Sequence, residues 1–156
     1  MSTDNFFQRV IKPHPAFTSP ARCNNMMLLE PVMRSRVECI LATMAAKGHP
    51  MQVWETFRST VRQEALFKAG KTKLKAVGVH NYGLAADLVF WDGMDPSWRG
   101  PWDVYGQAVQ EQGLVWGGDW DSNPATPNRF QDAPHCQRIG VGQQAALFAG
   151  TYYPAE

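Results

Sequence analysis

The sequence predicts a single α+β domain. Its 156 residues fit one domain and leave little room for a second. The predicted helices and strands follow one another in a mixed order rather than in regular alternation, which favours α+β over a doubly wound parallel sheet. Six tryptophans, eleven prolines and thirteen glycines favour a loop-rich fold with a cleft over a helical bundle.

The first part of the chain is predicted to contain an arm, two helices and a strand. Residues 1–25 are polar and contain three prolines, so we expect an arm on the surface of the domain. Apolar side chains recur at helical spacing over 28–47, and Gly48 is suited to follow the end of that helix. The alternating stretch 51–54 predicts a strand. Residues 59–70 predict a second helix, because a serine precedes it as N-cap and a glycine ends it.

The second part is predicted to contain short strands, one long helix and loops. Residues 84–91 are mostly apolar, which is typical of a buried strand. Residues 92–101 are rich in glycine, proline and aspartate and predict a loop. The further elements, in chain order, are a helix over 102–112, a strand over 114–116, a loop over 121–131, a strand over 133–139 and a weakly helical tail from Gly142.

Composition and charge exclude several classes of protein. Fifteen Lys and Arg against fourteen Asp and Glu give a net charge of +1, which argues against a dedicated nucleic-acid binder. No apolar run approaches the roughly 20 residues that cross a bilayer, so we expect no stable membrane insertion. The N-terminus lacks the basic and apolar regions of a Sec signal, so we expect synthesis in the cytoplasm. Cys23, Cys39 and Cys136 are too irregularly spaced for a disulfide framework or a metal clip.

His80, Asp87 and His135 are the candidate metal ligands. Imidazole nitrogens and a carboxylate oxygen are typical zinc ligands, and a catalytic site keeps a fourth position for water. Gly83 would allow the sharp turn that brings residues seven apart onto one ion. Purely structural roles stay open as alternatives at this point, because a histidine beside a glycine-rich turn and an aspartate at a strand edge are common structural residues. Asp132, three residues before the last histidine, is suited to act as general base without binding the metal.

Four segments together resemble one protein family. They are Trp-Glu-Thr-Phe-Arg-Ser with its continuation over 54–72, His-Asn-Tyr-Gly-Leu-Ala-Ala-Asp over 80–87, Gly-Leu-Val-Trp-Gly-Gly-Asp-Trp over 113–120, and Asp-Ala-Pro-His over 132–135. In this order they are similar to the zinc-dependent peptidoglycan peptidases, which include D-alanyl-D-alanine carboxypeptidases and the L-alanyl-D-glutamate peptidases of phage endolysins. The resemblance implies the Hedgehog/D,D-peptidase fold, which has a small antiparallel sheet with flanking helices.

The resemblance also implies the site. It makes His80, Asp87 and His135 the ligands of one Zn²⁺ per chain and Asp132 the catalytic base. It places Arg58 and Gln63 in the substrate cleft, where the Arg58 fork would suit a stem-peptide carboxylate. We assign 26–140 to the catalytic domain, between an N-terminal arm over 1–25 and a C-terminal tail over 141–156 that packs on the same domain.

We expect a monomeric enzyme that cleaves peptidoglycan stem peptides. The favoured bond is the L-alanyl-D-glutamate bond. A D-alanyl-D-alanine carboxypeptidase and a non-catalytic, peptidoglycan-binding zinc domain remain alternatives. Gly78 stands where many members have serine, and Cys136 stands where many endolysin-type members have an aromatic residue. Neither change removes a ligand, but both leave fine specificity open. Without a Sec signal, access to the wall or periplasm would need a holin, lysis or dedicated secretion.

Overall fold

A five-stranded antiparallel sheet organises the protein in the computed structural model, which describes residues 4–72, 78–123, 125 and 131–156. The strand order is β1-β2-β5-β4, and β3 pairs with the end of β2. This sheet with its helices confirms the predicted α+β class. The strands are β1 (Met51–Glu55), β2 (Ala85–Trp91), β3 (Pro96–Ser97), β4 (Val115–Trp116) and β5 (His135–Gln137).

Within the described residues, four α-helices accompany the sheet: α1 (Pro31–Ala46), α2 (Thr60–Lys68), α3 (Trp102–Glu111) and α4 (Gln144–Phe148). The first helix begins later than predicted, because Glu30 caps it by accepting from two backbone N–H groups and proline occupies the first helical position. The second helix has the predicted cap, with Ser59 Oγ accepting from the backbone N–H of Arg62 at 3.1 Å. None of the described helices combines the length and hydropathy that crossing a bilayer requires.

The central strand β2 separates the main core from the opposite side of the sheet. Ala86, Leu88 and Phe90 belong to the main core, together with α1, α3 and Cys136 of β5. Ala85 lies in a second buried cluster instead. Because successive side chains of a strand point to opposite faces, Asp87 is directed away from the main core. The alternation therefore puts Asp87 on the face of β2 opposite to the main core, beside the buried Ala85 and Val89.

Both chain ends pack against the domain. Phe6 and Ile11 are buried with Leu28 and Phe57, so residues 4–25 differ from the predicted surface arm in being anchored by apolar side chains. The C-terminal segment buries Leu147 against a cluster that includes residues of β2 and the turn before it. The predicted loop over 92–101 contains the short strand β3. The predicted loop over 121–131 lies partly outside the described residues.

Candidate active site

Three side chains, those of His80, Asp87 and His135, meet on the side of the sheet opposite to the main core. Nε2 of His80 lies 3.3 Å from Oδ1 of Asp87, and Nδ1 of His135 lies 3.2 Å from the same oxygen. The three atoms that could bind a metal ion, one from each side chain, all lie within 4.8 Å of one another. Both histidines are buried, and the Asp87 side chain is 14% exposed. The structure therefore brings together the three residues that the sequence predicts as ligands.

Local structure explains how residues so far apart in sequence converge. His80 lies on a 3₁₀ turn, Val79–Tyr82, which ends at Gly83 with φ of +72°. A β-carbon at Gly83 would lie 2.7 Å from the backbone oxygen of Leu28, so glycine is required there for space as well as for φ. The chain then enters β2, which carries Asp87. His135 of β5 is the antiparallel register partner of Asp87.

Each histidine uses one ring nitrogen for a hydrogen bond away from the cluster, so that its other ring nitrogen faces Asp87. His80 Nδ1 lies 2.8 Å from the carbonyl oxygen of Thr56, which can only accept, so Nδ1 carries the hydrogen. His135 Nε2 lies 2.8 Å from Oε1 of Gln137, whose amide donates to Ile139 O at 2.8 Å. Acceptors behind metal-binding histidines fix the tautomer in this way. Two imidazoles with inward lone pairs and one carboxylate fit a zinc ion with an open fourth position.

The charges of the cluster support an ionised carboxylate. Burial alone would raise the pKa of Asp87, but the charge and hydrogen bonds of His80 and His135 outweigh it, so that pKa lies well below its usual range. Burial would lower the pKa of His135, but the hydrogen bond and charge of Asp87 outweigh this and raise it. A carboxylate that stays charged between two imidazoles is suited to a divalent cation.

Asp132 lies on the turn that leads into β5 and lines the same cleft. Its backbone N–H donates to Gly117 O at 2.7 Å, and its carbonyl accepts from the backbone N–H of His135 at 3.0 Å. Burial raises the pKa of its carboxyl, and repulsion by Asp87 adds to this, although His135 opposes it. A raised pKa makes this carboxylate a stronger base than an ordinary aspartate, which suits the general-base role predicted for it.

Arg58 and Gln63 also line the cleft and contact each other. Arg58 Nη1 donates to Gln63 Oε1 at 3.1 Å, and its Nη2 lies 2.8 Å from Glu55 Oε1 and 3.5 Å from Asp87 Oδ2. The side chain of Arg58 is only 11% exposed. The predicted pair is thus present at the cleft, but two of its guanidinium nitrogens are already engaged by this chain.

The cleft has a volume of about 810 Å³ and contains the whole cluster. Trp54, Trp98 and Trp120 line it. Trp102 does not line it, because its ring packs against Phe90 at the edge of the main core.

Two residues near the site have structural contacts. Asp119 is buried, and its carboxylate accepts from Gln110 Nε2 at 3.4 Å and from the backbone N–H of Asn123 at 3.2 Å. Cys136 points into the main core, as the alternation along β5 predicts. Burial raises the pKa of its thiol to about 12. The thiol therefore stays protonated and is no metal ligand.

The sequence analysis assigns no role to four residues that contact the site residues: Glu55, Thr56, Arg62 and Gln137. Thr56 acts through a backbone carbonyl, which side-chain identity does not reveal. Gln137 lies two residues after His135 on β5, so the period of a strand puts both on one face and could have indicated the contact. Glu55 is 2% exposed and accepts from both Arg58 and Arg62.

Comparisons with known proteins point to one family. A family model described as D-alanyl-D-alanine carboxypeptidase matches residues 72–138. The peptidoglycan L-alanyl-D-glutamate endopeptidase CwlK of Bacillus subtilis (strain 168) is 29% identical, over 71% of this chain and 74% of the relative. The match to the family model spans the three candidate ligands His80, Asp87 and His135.

Solved structures agree with this fold. The L-Ala D-Glu endopeptidase ChiX of Serratia marcescens is 26% identical with a TM-score of 0.54, over 72% of this chain and 82% of that one. VanYB in complex with D-alanine-D-alanine is 14% identical with a TM-score of 0.51, over 78% and 77%, which shows a shared fold alone. The predicted resemblance is thus confirmed: over residues 72–138 the chain matches the model of a family described as D-alanyl-D-alanine carboxypeptidase, and it is similar to peptidoglycan-hydrolysing peptidases.

Proposed function

We propose that this protein is a zinc-dependent endopeptidase that cleaves the L-alanyl-D-glutamate bond of peptidoglycan stem peptides, with one Zn²⁺ per chain. The observation that carries the proposal is the cluster of His80, Asp87 and His135, whose donor atoms lie within 4.8 Å of one another inside the cleft. The choice of bond is supported by CwlK and ChiX, which are named as L-Ala-D-Glu endopeptidases and are 29% and 26% identical.

The proposed chemistry needs a metal, a base and a held substrate. Zn²⁺, when bound, acts as a Lewis acid that makes water more acidic and polarises a carbonyl group. Asp132 accepts the proton of the attacking water on a carboxylate oxygen and returns it to the leaving amine of the D-glutamyl residue. The raised pKa of Asp132 makes it a stronger base toward the attacking water than an ordinary aspartate would be.

Other side chains orient the groups that act. Thr56 O and Gln137 Oε1 hold the two imidazoles at their outer nitrogens. Arg58 stays a proposed cleft residue together with Gln63, and its guanidinium also lies 3.5 Å from Oδ2 of Asp87. We infer that this contact fixes the orientation of the Asp87 carboxylate, so that Oδ1 points between the two histidines.

A D-alanyl-D-alanine carboxypeptidase is the second candidate, because the matched family model carries that description. The two activities release different fragments from the same stem peptide: the carboxypeptidase removes a terminal D-alanine, whereas the endopeptidase leaves L-alanine on the glycan side. A non-catalytic zinc domain is disfavoured, because all three ligand positions and the base position are filled.

Digestion of purified peptidoglycan tests the proposal. The purified protein, loaded with Zn²⁺, should release fragments that begin with D-glutamate, as mass analysis would show. A chelator should abolish the release and added Zn²⁺ should restore it. Asp132→Asn is the matched control, because it keeps the ligands and removes the base. Release of free D-alanine alone would favour the carboxypeptidase, and binding without any release would favour the non-catalytic domain.

A further inference from the structure

Glu55 forms a buried ion pair with two arginines at the end of β1. Its Oε1 accepts from Arg58 Nη2 at 2.8 Å, and its Oε2 accepts from Arg62 Nε at 2.5 Å. The Glu55 side chain is only 3% exposed. Glu55 is shared between the two guanidinium groups, and Arg58 also lies 3.5 Å from Oδ2 of Asp87, so the charge of Arg62 is only partly balanced by Glu55.

The two arginines differ in how many donors they leave for a ligand. Arg58 uses Nη1 on Gln63 and Nη2 on Glu55, next to Asp87. Arg62 uses Nε on Glu55, and within the described parts of the chain its two terminal nitrogens have no hydrogen-bond partner. Its side chain is 19% exposed and lines the cleft. Glu55 thus holds the Arg62 guanidinium by one edge and leaves its terminal amino groups for an incoming group.

This arrangement selects a carboxylate as the ligand. A guanidinium presents donors only, in a planar fork that matches the two oxygens of a carboxylate. A carboxamide offers one oxygen, and its NH₂ group would face another donor. Lys71 also lines the cleft but supplies a compact charge on a flexible stem. Arg62 is therefore the cleft cation that is held in place for bidentate recognition.

We propose that Arg62 binds the free carboxylate of the D-glutamyl residue on the leaving-group side of the scissile bond, and that it makes the enzyme prefer stem peptides in which this group is not amidated. The inference rests on the proposed function. D-glutamate has two carboxyl groups; when the peptide continues through one of them, the other remains next to the scissile nitrogen, as a carboxylate or as an amide. That group is the substrate's nearest anion to the attacked bond.

Two synthetic stem peptides test the inference. They share the L-alanyl-D-glutamyl bond and differ only in the free carboxyl group, which is a carboxylate in one and a carboxamide in the other. The zinc-loaded wild type should cleave the carboxylate peptide with the higher kcat/KM. Arg62→Gln should lose about 10- to 100-fold in kcat/KM on the carboxylate peptide, the range expected for a charge-assisted bidentate contact, and less than about 3-fold on the amide.

Two further variants separate recognition from folding. Lys68→Gln on the same helix is the matched control, because the Lys68 side chain is 73% exposed and its Nζ lies 3.2 Å from Oε1 of Glu64. It should leave both peptides unaffected. Arg62→Lys keeps the charge and loses the fork, so it should restore part of the preference. Zinc content and melting temperature, measured on every variant, identify a loss that comes from misfolding.

The outcomes separate the inference from the proposed function. Equal losses on both peptides, or no loss in Arg62→Gln, would overturn the role of Arg62 and leave the endopeptidase assignment intact. A wild type that cleaves neither peptide would overturn the endopeptidase assignment, and the inference with it. A variant that loses selectivity while it keeps full zinc content and normal melting temperature supports the inference.

Discussion

Gly117→Ala should displace the turn that carries the proposed base and the last metal ligand. Gly117 is tied to that turn from both sides, since its N–H donates to His135 O at 2.8 Å and its carbonyl accepts from Asp132 N at 2.7 Å. A β-carbon built at Gly117 would lie 2.2 Å from the backbone oxygen of Asp132 and 3.0 Å from Cβ of His135. Neither neighbour is the flexible end of a side chain, so backbone must move.

The size of the effect follows from that distance. Ordinary van der Waals contact begins at 3.4 Å, so the Asp132 oxygen must retreat by about 1 Å. A displacement of that size at reacting groups costs about 10²-fold in rate. Overpacking of a tight contact costs about 1–3 kcal/mol of stability. We therefore expect Gly117→Ala to fold, with a lower melting temperature, and to lose about 100-fold in kcat.

Stem-peptide cleavage by the zinc-loaded proteins checks the expectation, together with zinc content and melting temperature. Gly142→Ala is the control, because a β-carbon there meets nothing within 4 Å and its φ is not in the left-handed region. The control should match the wild type in all three measurements. A Gly117→Ala protein with normal kcat would refute the reasoning, because it would show that the turn can move by about 1 Å without cost to the reaction.

Four further substitutions test a ligand, the base, the nearby buried Asp119 and the buried ion pair. His135→Ala should remove most of the zinc without unfolding the core, and full zinc content in that variant would contradict its role as ligand. Asp132→Asn should lower kcat by about 10²–10⁴-fold at unchanged zinc content, whereas Asp119→Asn should lower the melting temperature with a smaller effect on kcat; the opposite pattern would exchange the two roles. Burial would raise the pKa of Glu55, but Arg58, His80 and Arg62 outweigh it and lower the pKa below its ordinary value of 4.5. Glu55→Gln should therefore cost about 3 kcal/mol in urea unfolding at neutral pH. This difference should shrink as the pH falls below 4.5 through the lower folded-state pKa, and a constant difference would contradict the ion pair.

The strands and helices with strong patterns could be predicted from the sequence, whereas their ends and the short turns could not. The 84–91 strand and the Ser59 cap follow from local chemistry, because a run of apolar residues must be buried and a serine satisfies an orphan N–H. The strand predicted over 133–139 is shortened to β5, because Asp132 O accepts from His135 N and forms a turn first. Such a contact depends on the neighbouring Gly117, which lies far away in sequence.

In the site, too, some features could be predicted from the sequence and others could not. The proposed ligands, the proposed base and the cleft position of Arg58 could be named from a family pattern, since each depends on the identity of a side chain. The contacts of Arg58 could not, because they depend on where Glu55 and Asp87 lie in space. Arg62 received no role at all from the sequence. Its proposed role depends on the buried carboxylate of Glu55, which holds the guanidinium of Arg62. The burial of a charged group is a property of the folded chain and cannot be seen in the sequence.

Core and site are connected through the two central strands. Asp87 and His135 are direct partners on the face opposite to the main core, and the next pair along the register, Ala86 and Cys136, faces the main core. The backbone pairing of β2 with β5 therefore sets the spacing of the proposed ligands Asp87 and His135. Because interiors are close-packed, a larger side chain at Ala86 would press against the residues of α1 and α3, and β2 would have to move with Asp87.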